Sequence, residues 1–405
     1  MPHGRLPGFP EIQHDVSLMR RDTRIQHHGD DRERFLGSAV PPIFRTSLFT
    51  FPDCDSFQKA LAGEGERYLY TRQGNPTVRV LEEKVSDLEK ADDAVAFASG
   101  MGAVSAVLLS SLSSGDHLIL FSRAYAPTLA LVKGLLRRMG VRVTTLSPGE
   151  IPRLDQHIEE RTRLIYVESP ASLTFDVIDL ELVGKVARER GIVSATDNSW
   201  ASPLFQQPIE LGVDLSIHSG TKYISGHSDV VLGLVAGRNP HIGKVRSMAT
   251  LLGACLSPED AFLAVRGLRT LPLRMKRHEE SAFLIARKLL LDERVVEVLH
   301  PALPFFPSHT LWKKQFSGSS GLFSFRMRGD VRRFANALRI FSLGVSWGGF
   351  ESLCVPHALL SAAHPKSNLR PDIPDDLVRI SVGLEDPEDL WEDLEGAFKA
   401  AVGSV

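Results

Sequence analysis

The sequence predicts an α/β protein, a mostly parallel sheet covered by helices, flanked by an N-terminal arm and a smaller α+β C-terminal region. Three observations predict it. Short apolar runs alternate with stretches of helical period between about residues 78 and 235, which is how parallel strands joined by crossover helices read. Beyond about residue 260 the texture changes to one long helical stretch followed by short strands and helices. The 405 residues, 43% hydrophobic and 24% charged, supply enough chain for two or three globular domains. The expected division is an arm over 1–65, an α/β domain over 66–265 and an α+β domain over 266–405.

Each element has its own signal. Residues 1–65 show little helical periodicity and scattered prolines (Pro41, Pro42, Pro52), so they read as an irregular arm that packs on something, such as another subunit. Val80, Leu81, Val85 and Leu88 stand at helical spacing and predict a helix over 78–90. A strand is expected at 94–98, a small-residue helix at 102–112, a strand at 118–121, and a helix at 128–139 ended by Gly140. Strands follow at 141–146 and 164–167, then a helix at 180–190 stopped by Gly191, then strands at 192–196, 215–218 and 230–235. In the last third, a helix over 261–291 is expected to be interrupted near Pro272. A strand at 322–327 and helices at 331–340 and 387–402 complete the chain.

Ligands of such sheets bind at the carboxyl ends of the strands. The residues that matter most are therefore Ser99-Gly100-Met101, the loop 122–125, Glu168-Ser169-Pro170, Asp197-Asn198 and the segment 219–222.

Composition excludes several classes. A formal net charge of −2 gives no basis for a nucleic-acid or anionic-membrane partner. Cys54, Cys255 and Cys354 are far apart and odd in number, which argues against a disulfide framework and a zinc site. The polar, Arg- and His-rich start lacks the apolar region of a secretory signal, and no apolar run approaches a membrane span. Cytoplasmic residence is the expectation.

The chemistry-bearing segments each have an ordinary reading. Lys222 would by default be a solvated surface lysine. It follows a Ser219-Gly220-Thr221 turn, however, and a lysine held in a cleft can shed its proton and attack an aldehyde, with the Ser219 and Thr221 hydroxyls ready to donate to phosphate. Asp197, at a strand end, would ordinarily be a cap or turn residue. Ser99-Gly100-Met101-Gly102 opens a helix whose N–H groups make an anion site. A dinucleotide fingerprint would need Gly or Ala at the position of Ser105, which weakens the oxidoreductase reading. The segment 70–77, Y-T-R-Q-G-N-P-T, is at least a turn. Tyr125 would be an amphipathic rim residue. Arg379, in an alternating apolar run, is either an edge residue facing water or a buried clamp. Ser346-Trp347-Gly348-Gly349-Phe350-Glu351-Ser352 is at least a glycine turn with a packed tryptophan.

Together these segments carry a resemblance. D-L-S-I-H-S-G-T-K-Y-I-S-G-H-S over 214–228 is similar to the lysine signature of the Cys/Met-metabolism PLP-dependent enzymes, the trans-sulfuration family. Asp197-Asn198-Ser199-Trp200 resembles that family's D-N-T-W segment, with Ser for Thr. Residues 70–77 resemble Y-x-R-x-x-N-P-T, and 379–385 resemble R-x-S-x-G-L-E. The resemblance covers the chain from about residue 22 to near the C-terminus. It implies a fold of the PLP-dependent transferase type I (aspartate-aminotransferase-like) and pyridoxal 5′-phosphate as cofactor. It implies Lys222 as the Schiff-base lysine and proton carrier, Asp197 at the pyridine nitrogen and Tyr125 on the ring as a proton-transfer assistant. Ala126-Pro127 stands where many members have Gly-Gly, which bears on the ring's pose. It implies Gly100, Met101, Ser219 and Thr221 around the phosphate, with Tyr70 and Arg72 reaching the phosphate of a neighbouring subunit. Arg379, Ser346, Trp347 and Tyr70 would hold the substrate.

At least a dimer with shared sites follows from that sharing, and the resemblance implies a homotetramer. S-W-G-G-F-E-S over 346–352 resembles the bacterial cystathionine β-lyase branch, where the γ-acting enzymes usually carry Leu in place of Trp347. The implied activity is therefore cleavage of L-cystathionine to homocysteine, pyruvate and ammonia, in methionine biosynthesis. The competing readings are a γ-acting lyase, a cysteine or cystine β-lyase, and a non-catalytic relative kept for binding or regulation. The last has no need of Lys222, Asp197, Tyr125 and Arg379 together.

Overall fold

The computed structural model describes residues 18–30, 32–65, 67–363 and 373–402. Seven strands form the larger sheet: β1 (Asp93–Phe97), β2 (His117–Phe121), β3 (Arg142–Leu146), β4 (Thr162–Glu168), β5 (Val193–Asp197), β6 (Leu215–His218) and β7 (Gly233–Gly237). Their spatial order is β1-β7-β6-β5-β4-β2-β3. The run from β6 through β3 is parallel throughout, and β7 is antiparallel to both its neighbours. Successive residues of one strand serve opposite faces: Leu118 and Leu120 of β2 pack with Leu164 and Tyr166 of β4, while Ile119 and Phe121 pack with Ile165 and Val167 on the other side. Both faces are covered, so these strands read as unbroken apolar runs.

Five further strands form a mixed sheet: β8 (Val295–Leu299), β9 (Leu322–Met327), β10 (Ser342–Leu343), β11 (Leu353–Pro356) and β12 (Leu377–Ser381), in the order β10-β11-β12-β9-β8. Its core joins Phe325 and Ile380 to Leu390, Leu394 and Phe398 of the helix Pro387–Val402. Each such side chain contributes about 1.5–3 kcal/mol on leaving water.

Three expectations need correction. The helix Pro258–Leu290 runs through Pro272 and across residues 265 and 266 without a break. Proline removes one backbone bond, but Leu268, Leu271 and Met275 around it are fully buried, and that packing outweighs the loss. The first half of this helix packs in the core beneath β1 and β7, and its second half (Ala282, Ile285, Leu289) in the core of the smaller sheet. The arm is less irregular than expected. Residues 1–17 lie outside the described residues, but helices form at Arg21–His27 and at Cys54–Leu61, the latter capped by Asp53 accepting from Ser56 N at 2.7 Å. The arm is tied to its own chain by Lys84, whose buried Nζ donates to His28 O at 2.6 Å and pairs with Asp30 at 3.3 Å. Finally, the strand expected at 230–235 is β7, three residues later, because the Leu232 backbone is engaged by the Thr221 hydroxyl instead.

Candidate functional site

The carboxyl ends of β4, β5 and β6 lie side by side, with Glu168 paired to Asp197 and Asp197 to Ile217. They open on a cavity of about 270 Å³ bounded on the far side by the smaller sheet. Its wall includes Gly100, Met101, Tyr125, Asp197, Ser219, Thr221, Lys222, Trp347 and Arg379, so residues from nearly 300 positions apart converge on one space.

Lys222 enters from the turn after β6. Its Nζ donates to Ser346 Oγ at 2.7 Å and lies 5.4 Å from the centroid of the Trp347 ring. Burial, reinforced by the nearby Arg379 charge and partly opposed by Asp197, brings the ammonium down to about 8. About a tenth of the amine is therefore neutral and nucleophilic at pH 7, rising to about half near pH 8.

Asp197 ends β5 with its carboxylate accepting from Ser199 N at 2.9 Å. Burial pushes its acidity weaker than an ordinary aspartate, while Ser199, His218 and Lys222 pull the other way. Ser199 Oγ also accepts from Ser219 N at 2.6 Å, which fixes the turn before Lys222 to the turn after Asp197.

The helix Gly100–Ser111 points its N-terminus at the cavity. Ser99 Oγ caps Gly102 N at 3.0 Å. Gly100 and Met101, as its first residues, have N–H groups with no carbonyl a turn earlier to bond. A Cβ at Gly100 would stand 3.1 Å from Ser219 Oγ, so glycine keeps open the space between helix and turn. The Thr221 hydroxyl is differently employed from the expectation: it donates to Leu232 O at 3.1 Å and accepts from Leu232 N at 2.9 Å.

Arg379, in the middle of β12, is 9% exposed and donates to Val345 O at 2.9 Å and Ser346 O at 3.3 Å. It thus holds the segment that arches over Lys222. The arch also needs Gly348: its φ is +82, and an added Cβ would stand 3.2 Å from Lys222 Cα, which together exclude a side chain. Trp347 packs in a tilted arrangement, centroids 5.5 Å apart, against the fully buried Tyr223, whose hydroxyl accepts from Gly321 N. Tyr125 precedes the helix Ala126–Leu131 and is half exposed at the cavity mouth.

Tyr70 and Arg72 are not brought into this cavity within one chain. Arg72 donates to Thr250 O at 2.8 Å and sits over the Tyr70 ring, beside a separate depression near Arg246. Glu168, for which the motifs offered no role, also lines the cavity: it accepts from Tyr125 N at 2.6 Å and Ser172 N at 2.8 Å, binding two cavity loops together. Its only signal was its place at a strand end.

The donor set fits a phosphorylated aromatic aldehyde. An anion fits against the Gly100–Met101 N–H groups and Ser219, a ring nitrogen against Asp197, and the aldehyde against the Lys222 amine. Among the described residues no group of His, Cys, Asp and Glu is arranged to hold a metal ion, and no helix is long and apolar enough to cross a membrane.

Comparison with known proteins agrees. Residues 22–399 match the sequence model of the family described as Cys/Met metabolism PLP-dependent enzyme. The chain is 38% identical over 388 residues to a putative cystathionine beta-lyase of Rhizobium johnstonii, covering 94% of this chain and 96% of that one. It is also 38% identical over 408 residues to an L-methionine gamma-lyase of Pseudomonas putida, covering 98% and 100%. The crystal structure of metB from Corynebacterium glutamicum superposes with a TM-score of 0.88 at 35% identity, covering 95% of this chain and 99% of that one.

Proposed function

The chain belongs to the Cys/Met metabolism PLP-dependent enzymes, and from that membership we propose a lyase that breaks the Cβ–S bond of L-cystathionine, giving homocysteine, pyruvate and ammonia. When bound, pyridoxal 5′-phosphate supplies an aldehyde that condenses with amines and a protonated ring that takes up the electron pair left at Cα. The rest is done by the protein. Gly100, Met101 and Ser219 would hold the phosphate, Asp197 would serve the ring nitrogen, and Tyr125 would cover the ring. Arg379 clamps the substrate carboxylate with its planar fork, beside Ser346 and Trp347, and so sets the Cα–H bond toward Lys222. Lys222 removes that proton and returns one to the departing thiolate. The released three-carbon enamine hydrolyses to pyruvate and ammonia. Tyr70 and Arg72, outside the cavity of their own chain, complete the phosphate site of a second copy. The reading carries with it a cytoplasmic homotetramer in methionine biosynthesis.

The observation that carries the β-reading is Trp347. Its ring stands 5.4 Å from Lys222 Nζ, backed by Tyr223. A γ-elimination needs a second proton removed at Cβ, by a base placed one carbon farther out, and the indole narrows that space. The second reading is γ-elimination, favoured by the equal 38% identity to an L-methionine gamma-lyase. Product analysis from L-cystathionine separates them. Pyruvate with homocysteine is expected; 2-oxobutyrate with cysteine as the main products would sink the β-lyase reading.

A further inference from the structure

Beneath the site, away from the cavity, lies a buried polar cluster that the proposed reaction does not use. Glu89 is the last residue of the helix Pro76–Glu89 and is 0% exposed. A carboxylate there sits at the negative end of a helix and out of water, which is doubly unfavourable unless a positive charge compensates it. Three donors converge on its Oε1: His218 Nε2 at 2.5 Å, Ser216 Oγ at 3.0 Å and Asn198 Nδ2 at 3.1 Å. Three donors on one oxygen suit an ionised carboxylate, while Glu89 Oε2 and His218 Nδ1 are buried with no hydrogen-bond partner among the described residues. His218, itself fully buried, is the ion-pair partner of Glu89.

Two of these three partners are joined by sequence to the site. Asn198 directly follows Asp197, and His218 directly precedes Ser219, in the turn that carries Lys222. Glu89 therefore ties the ends of β5 and β6 from below. His218 is also close enough to act on the Asp197 carboxyl, in the direction that favours its ionised form.

We propose that Glu89 holds His218 as a buried imidazolium whose positive charge keeps Asp197 ionised against its own burial, so that Asp197 can hold a proton on the cofactor's ring nitrogen. Glu89 and His218 are positioning residues, acting through Asp197 without touching cofactor or substrate. The inference rests on Asp197 facing that nitrogen. The pair explains why a carboxylate is tolerated at the buried end of that helix, and why the residue before Ser219 is a histidine in a strand otherwise filled by Leu215, Ser216 and Ile217.

Neutron diffraction of the holoenzyme reads the protons directly. Deuterium on both His218 ring nitrogens and none on Glu89 is expected. A single deuterium on His218, or one on Glu89, overturns the proposal. The same map tests the premise separately, because a ring nitrogen lying away from Asp197 would fail that reading whatever the state of His218. Glu89→Gln is the functional arm, read with cofactor labelled with nitrogen-15 in the ring. Its nitrogen resonance is expected to move toward the unprotonated value while cofactor content is kept, and kcat to fall about tenfold or more with little change in KM, a factor equivalent to one unit of Asp197 acidity. An unshifted resonance in a folded, cofactor-loaded variant overturns the proposal; should the variant not fold, the wild-type neutron map still decides.

Discussion

At the residue scale the account turns on Lys222. Its amine is lowered to about 8 by burial and by Arg379, with Asp197 pulling back toward the charged form. Only the neutral amine attacks an aldehyde, so recombination of cofactor-free protein with pyridoxal 5′-phosphate should speed up as pH rises and level off above about 8. Stopped-flow absorbance of imine formation measures this; a rate still climbing through pH 10 would mean an ordinary exposed lysine. The convergence of Lys222, Asp197 and Arg379 on one cavity was legible in the sequence, because each sits in a compact motif at or next to a strand. Glu168 and Ser199 were not. Their work is to bridge loops, Tyr125 to Glu168 across 43 positions and Ser219 to Ser199 across 20, and nothing local marks a bridge. Thr221 shows the converse, since a residue type suited to phosphate is spent on Leu232.

At the element scale the site depends on how closely the long helix approaches the lysine turn. A Cβ at Gly267 would come within 2.5 Å of the Ile224 and Ser225 carbonyl oxygens, just beyond Lys222. In an exposed helix Gly→Ala stabilises by about 1 kcal/mol. Here Gly267→Ala should instead destabilise by about 1–3 kcal/mol, the usual cost of overpacking, and weaken cofactor retention. Thermal unfolding with and without added cofactor checks both effects; a raised Tm would show that the backbones can part without cost. The strands at 215–218 and 322–327 and the helices at 180–190 and 387–402 were legible from periodicity alone and stand at those bounds. The unbroken helix through Pro272 was not, because proline is a local signal and the packing that overrides it is not. The π-helical turn Val132–Leu136 following the helix Ala126–Leu131 likewise has no sequence mark that periodicity reads.

At the scale of the whole molecule, the cavity exists only because two sheets meet. Trp200, three residues past Asp197, donates from Nε1 to Leu322 O at 2.8 Å and so pins the end of β5 to the start of β9. His278, against Tyr223, and His300, against Phe323, are both fully buried. Burial lowers each to about 4. The folded state therefore binds fewer protons than the unfolded chain between about pH 6.5 and 4, so stability is retained above that window and lost as pH falls through it. Each contributes at most roughly 3 kcal/mol of acid sensitivity. Urea unfolding across that range should show the midpoint falling, and less steeply in His300→Gln; an unchanged midpoint down to about pH 4 would contradict buried neutral imidazoles.

On the proposed reading, Lys222 is the amine that holds the cofactor. Borohydride reduction of the holoprotein, followed by peptide mass mapping, tests it most directly. The pyridoxyl phosphate mass is expected on the peptide containing Lys222 and on no other. The label on a different lysine, or none in a protein shown to carry cofactor, would contradict it.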